Sequence, residues 1–115
     1  MKPEIKAQWV AALRSGEYRQ GTGVLRDPHH CYCCLGVLCD LFVKSHPGAR
    51  WDWNGSVLGK DTLPADEIWQ WAGLQNSDPE VLVSDDEDGK SSLSIHNDTL
   101  GHTFAQIADA IEAQL

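Results

Sequence analysis

Apolar residues recur along this chain at helical and at strand spacing, and the two periods predict its elements. Ile5, Trp9, Ala12 and Leu13 fall on one face of a helix running from Pro3 to Ser15. Pro3 suits its first turn, Glu4 its positive pole and Gly16 its stop. Tyr18 to Arg26 reads as extended, Asp27-Pro28 as a turn, and His30 to Cys33 as the returning arm of a hairpin. A second helix is predicted over Cys34–Lys44, with Cys34, Leu38, Leu41 and Phe42 on its buried face, closed by His46-Pro47-Gly48. Trp51, Trp53, Val57 and Leu58 flank Asn54-Gly55, a strong hairpin dipeptide. Pro64–Ala72 reads as a third helix stopped by Gly73, with Ile68, Trp69, Ala72 and Leu74 apolar. Val81–Val83 and Leu93–Ile95 read as strands around the acidic run Asp85–Asp88, itself a solvated turn. Asn97-Asp98 and Gly101 make a loop, and Thr103 with Gln106 predicts a capping box opening the last helix, whose apolar face is Phe104, Ile107, Ala108 and Ile111.

These elements amount to an α+β fold in one small domain over residues 1–115. Helices at the N- and C-terminal ends pack with short antiparallel strands or hairpins and two internal helices. The length suits one core and is short for two. Hydrophobic residues are 42% and charged residues 23%, ordinary globular usage. A formal charge of -8 opposes general nucleic-acid or membrane-surface binding, which needs a basic face. The acid is uneven, however. Lys2, Lys6, Arg14, Arg19 and Arg26 lie in the first quarter, which leaves an anionic small ligand open. Met1–Leu13 lacks the apolar stretch of an export signal, and no segment approaches the ~20 apolar residues of a membrane span. The expectation is a cytoplasmic protein without membrane contact.

All four cysteines lie between Cys31 and Cys39, preceded by His29 and His30. Zinc sites favour paired Cys-x-x-Cys knuckles, whereas helical Cys34 and Cys39 diverge by ~140° at ~100° per residue. A reducing compartment opposes a disulfide. A thiolate nucleophile at Cys34, acidified by a helix start beside a histidine base, is a third reading. The favoured reading is packing, with cysteine acting as a small buried hydrophobe, and thus no metal.

Trp9-Val10, the run Ala12-Leu13-Arg14-Ser15-Gly16-Glu17-Tyr18, then Gln20 and Leu25 lead into Tyr32-Cys33-Cys34-Leu35-Gly36-Val37-Leu38-Cys39-Asp40. Leu63-Pro64, Trp71-Ala72-Gly73-Leu74 and the stretch from Asn97 to Glu112 follow. Together these motifs resemble a family of small bacteriophage and prophage proteins over nearly the whole chain. The loop holding Leu100 and His102 departs from it, being longer than that family's usual glycine turn. The resemblance implies a phage setting, with host cytoplasm as location, and carries over no functional residue.

Arg14, Arg19 and Arg26 with Tyr18, Trp51 and Trp53 are the candidate ligand-binding residues. Arginine forks hold phosphate and aromatic faces stack bases. The competing reading, which we favour, makes the tryptophans core and the arginines a solvated rim. Asn97 and Asp98, beside His96, are either site residues or a turn before the last helix, and the turn is favoured. No serine–histidine–acid order, phosphate-cradling loop or catalytic carboxylate pair stands out, so catalytic residues and cofactors are expected to be absent. The expected function is non-catalytic binding of a small anionic nucleotide-like ligand, as a counter-defence sponge in the phage setting. The alternatives are an acidic binder of a host protein, centred on Asp85–Asp88, and a cysteine-dependent enzyme. A homo-oligomer suits either binding reading, because subunit interfaces supply pockets that a small domain lacks.

Overall fold

The structure is a computed structural model and describes residues 1–83 and 89–115. The expected acidic turn at Asp85–Asp88 lies outside them. Helix α1 (Pro3–Arg14) starts on Pro3, as its sequence demands, and buries Ile5, Trp9, Val10 and Leu13. Strand β1 (Arg19–Gln20) pairs with β2 (Cys31–Tyr32), and helix α2 (Cys34–Ser45) follows directly. Helix α3 (Asp66–Ala72) begins two residues later than expected and ends on Gly73 in the left-handed conformation. Strands β3 (Glu80–Val81) and β4 (Ser91–Ser92) pair antiparallel, leading into helices α4 (Leu93–Asp98) and α5 (Phe104–Gln114). The fold is mixed α+β, with α1 docked on α5 and both lying against one core.

Three expectations need correction. The first ladder is parallel, with Arg19 opposite Cys31 and Gln20 opposite Tyr32, rather than an antiparallel hairpin. Residues 21–30 form a short crossover, turned back by Asp27, whose carboxylate accepts from the His29 and Cys31 amides at 2.8 and 3.0 Å. The antiparallel component survives only as a bridge between Arg26 and Tyr32. The Asn54-Gly55 turn exists but joins no strands. Asn54 Oδ1 accepts from the Ser56 amide and hydroxyl, tying the dipeptide into a local loop. The tight turn falls instead on Leu58-Gly59, both at positive φ, between the bridged Val57 and Lys60. Finally, Leu93–Asp98 is helical, neither strand nor loop. Its buried residues are Leu93, His96 and Asn97, at i, i+3 and i+4; because two of them are polar, the helical period is invisible to hydropathy. Asp78 helps by accepting from the Ser94 amide and hydroxyl in the first turn.

Helix α2 is the centre of the molecule. Cys34 through Asp40 are buried without interruption, so it is enclosed on all sides rather than along one stripe, and Leu41 is only half-buried. Its first turn is satisfied from outside the usual repertoire. The Cys33 sulfur accepts from the Gly36 amide at 3.4 Å, and Asn97 Oδ1 accepts from the Cys34 amide at 3.2 Å. Trp9 Nε1 donates to the Cys34 carbonyl at 3.0 Å, binding α1 to the same turn. Gly36 permits the closest approach: a Cβ there would stand 1.8 Å from the Leu25 carbonyl oxygen. The capping box of α5 forms as expected, with Thr103 and Gln106 exchanging side-chain to backbone bonds.

Gly36→Ala is therefore expected to destabilise the protein by ~3 kcal/mol or more, since overpacking against backbone cannot relax by a rotamer change. Urea unfolding of the variant beside wild type measures it; a loss under ~1 kcal/mol would show that the Leu25 segment yields freely.

Candidate functional site

Asp40 sits near the middle of α2, almost buried, and organises a polar and aromatic cluster at the surface. Its carboxylate accepts from the Tyr18 hydroxyl at 2.5 Å and from Trp51 Nε1 at 3.0 Å. Lys44, one turn on, reaches it at 3.2 Å and donates to the Tyr18 oxygen at 3.1 Å. Burial, with the hydrogen bond to Asp40, pushes the Tyr18 phenol up to about 12. The Lys44 ammonium is raised as well, first by its hydrogen bond to Tyr18. Tyr18 packs edge-on against Tyr32 at 5.1 Å, and Tyr32 against Trp51 at 5.9 Å. The Arg26 guanidinium lies over the Trp51 ring at 4.8 Å, completing the row.

Two clefts flank this row and share His30, which the Asp27 turn holds at φ 58°. The larger, of about 510 Å³, lies between Arg26, Asp27, Pro28, His30 and the 53–55 loop. The smaller, of about 390 Å³, is floored by Tyr18, Tyr32, Asp40 and Lys44. Trp53 walls the larger cleft with 96% of its surface exposed. Among the described residues the other tryptophans have internal partners. Trp9 is core, Trp51 and Trp69 donate to Asp40 and Asp66, and Trp71 packs edge-on to Phe42.

Of the sequence candidates, Tyr18, Arg26, Trp51 and Trp53 thus come together on one face. Arg14 does not. It forks onto Asp109 and Glu112 of α5 at 2.6 and 3.1 Å, joining the terminal helices, and those bonds raise its own pKa and lower that of Glu112. Arg19 is exposed on β1. Asn97 is an internal strut, bonded to Gln20, Cys34, Gly21 and Asp98, and Asp98 accepts one of its amide protons at 2.7 Å. Neither Asn97 nor Asp98 lines the two clefts. Sequence reading set His30 only beside the cysteines and missed Tyr32, Asp40 and Lys44 as site residues. A signal existed for two of them: Asp40 is an acid inside an apolar run, and Lys44 follows at i+4.

The four cysteines are free. Cys33, Cys34 and Cys39 are buried, and burial pushes each thiol up, Cys33 to about 11 and Cys34 well above its ordinary value. Cys34 Sγ points to the Leu93 carbonyl at 3.7 Å, the geometry of a weak thiol donor. A helix start lends it no acidity that survives this desolvation. Among the described residues, no group of three or more His, Cys, Asp or Glu is placed to hold a metal ion, and no helix is long and apolar enough to cross a membrane.

Comparison with known proteins gives one match. The chain belongs to the family described as a domain of unknown function (DUF8296), whose profile covers residues 1–115. No curated protein and no solved structure matches it.

Two outcomes follow from the site chemistry. Under native conditions at neutral pH, iodoacetamide should modify the half-exposed Cys31 first and the other three thiols only on unfolding, read by mass spectrometry; rapid selective labelling of Cys34 would contradict its burial. Tyr18 has a folded pKa above the ordinary phenol value of 10.0, so the folded state holds its proton more tightly. The associated stability is fully present below pH 10 and lost as pH rises towards 12. Tyr18→Phe should flatten this alkaline loss in urea midpoints taken across that window.

Proposed function

We propose that this member of the DUF8296 family acts by binding, without catalysis, and that its ligand is a small anionic molecule with a planar ring, of nucleotide type. The observation that carries the reading is the Arg26 guanidinium stacked 4.8 Å from the Trp51 ring beside an exposed Trp53, across a cleft of about 510 Å³. That volume lies within the usual range for small-molecule sites, about 300–1,000 Å³. Stacking on Trp51 orients a planar fork suited to phosphate. Trp53 offers a face on which a base stacks, a contact worth ~1–3 kcal/mol per base. His30, between the two clefts, adds an imidazole that can hydrogen-bond a ligand. The phage-type resemblance supplies a setting in which stoichiometric capture of a host signal is useful and turnover is unnecessary.

A thermal-shift screen against linear and cyclic nucleotides tests the reading. At a free concentration of about 100 times Kd, a true ligand stabilises by about 2.7 kcal/mol, several degrees for a domain of this size. Arg26→Ala and Trp53→Ala should each weaken binding by roughly tenfold or more, equivalent to ~1.4 kcal/mol. A screen in which no nucleotide raises Tm at saturation overturns the reading.

A further inference from the structure

The Trp53 wall of the larger cleft is rigid and ends in solvent. Asp52 N–H donates to the Ser56 carbonyl at 2.7 Å, Gly55 N–H to the Asp52 carbonyl at 3.0 Å, and the buried Ser56 hydroxyl to Asn54 Oδ1 at 2.6 Å. Gly55 abuts the Arg26 carbonyl so closely that a Cβ would lie 2.3 Å from its oxygen. The loop is thereby locked onto the floor of the cleft while its tryptophan ring stands clear. A large ring held out in a fixed place loses little freedom on docking, the property of an interface anchor. Anchor and cleft also lie side by side on one face. That is the requirement of an isologous contact, in which one patch serves both copies.

Charge points to the same occupant. The segments 26–31 and 50–61 hold Arg26, Arg50 and Lys60 against Asp27, Asp52 and Asp61, three positive charges and three negative, on a chain of formal charge -8. A balanced face spares two copies the repulsion that the acidic total would otherwise impose. Arg26 and Asp27 are adjacent on the lip, so a two-fold axis beside Trp53 allows each to face its opposite on the other copy. Two tryptophan rings, burying roughly 150–250 Å² each, cover about a quarter of a standard ~1,600 Å² interface. Pro28, Asn54 and Leu58, all exposed on these segments, supply further contact.

We infer that a second copy of this chain docks on this face about a two-fold axis, so that the partner's Trp53 closes the Arg26–His30 cleft into an enclosed composite site. The inference rests on the binding reading above for the cleft's purpose, though not for the contact itself. Sedimentation equilibrium of the wild-type chain should give twice the monomer mass of 12.7 kDa, and Trp53→Ala should return the monomer mass. The substituted side chain is solvent-exposed within the chain, so circular dichroism of the unliganded variant should match wild type, while its Tm should lose the concentration dependence of the dimer. In a Cys31→Ser background that keeps Trp53, Leu58→Cys at the exposed rim of the contact should yield a dimer cross-linked by a short bis-maleimide, while Cys31→Ser alone does not. A wild-type monomer at every concentration overturns the inference, and so does a dimer that persists in Trp53→Ala or that fails to cross-link at position 58. A dimer dependent on Trp53 whose Tm no nucleotide raises upholds the interface and removes the nucleotide reading. A monomer that binds nucleotide does the reverse.

Discussion

Asn97 is 2% exposed and engages its amide on both sides. Its oxygen accepts from Gln20 at 2.9 Å and from the Cys34 backbone at 3.2 Å, while its nitrogen donates to the Gly21 carbonyl at 2.8 Å and to Asp98. Gln20 extends the network, donating also to the His102 carbonyl and accepting from the Phe104 amide, which opens α5. Two neighbouring amide side chains thus link the starts of α2 and α5, the end of α4 and the strand β1. Asn97, buried and bonded at both amide atoms, specifies one arrangement, because any slip leaves that amide unpaired in a low-dielectric interior, while exposed Gln20 carries the network to the surface.

Around that anchor the central helix has to be slim. Its run of cysteines, glycine and medium aliphatics lets α1, the Leu25 segment and α4 approach it together, and Gly36 marks the nearest approach. The density of cysteine in this segment is then a packing solution, with sulfur filling small volumes and even serving as a helix cap at Cys33. The only acid in the helix, Asp40, faces the one side where hydroxyl, indole and ammonium donors converge. The core helix thereby reaches the smaller surface cleft through Asp40 and, one turn on, Lys44.

Much of this was legible in the sequence. The bounds of α1 and α2, the capping box at Thr103 and Gln106, and the stop at Gly73 follow from local rules that need no partner. Leu93–Asp98 was not legible, because His96 and Asn97 are buried by specific bonds to Val81, Gln20 and Cys34 that no hydropathy pattern encodes. The parallel ladder was hidden for a similar reason: its crossover depends on how Asp27 spends its carboxylate. Arginines were the weakest guide to the site. Arg14, Arg19 and Arg26 look alike in sequence, and only tertiary placement separates a helix staple from an exposed strand residue and a guanidinium on tryptophan.

The bond from Asn97 to the first turn of α2 spans 63 residues, and it bears on the order of events during synthesis. A chain emerging from the ribosome exposes the most apolar helix of the protein well before the residue that secures its start exists. Helix α1 and the Leu25 segment cover part of it, but α4 and α5 come last. Completion of the core around α2 therefore waits for the last elements to emerge. During that interval the apolar helix is exposed surface on which aggregation competes with folding.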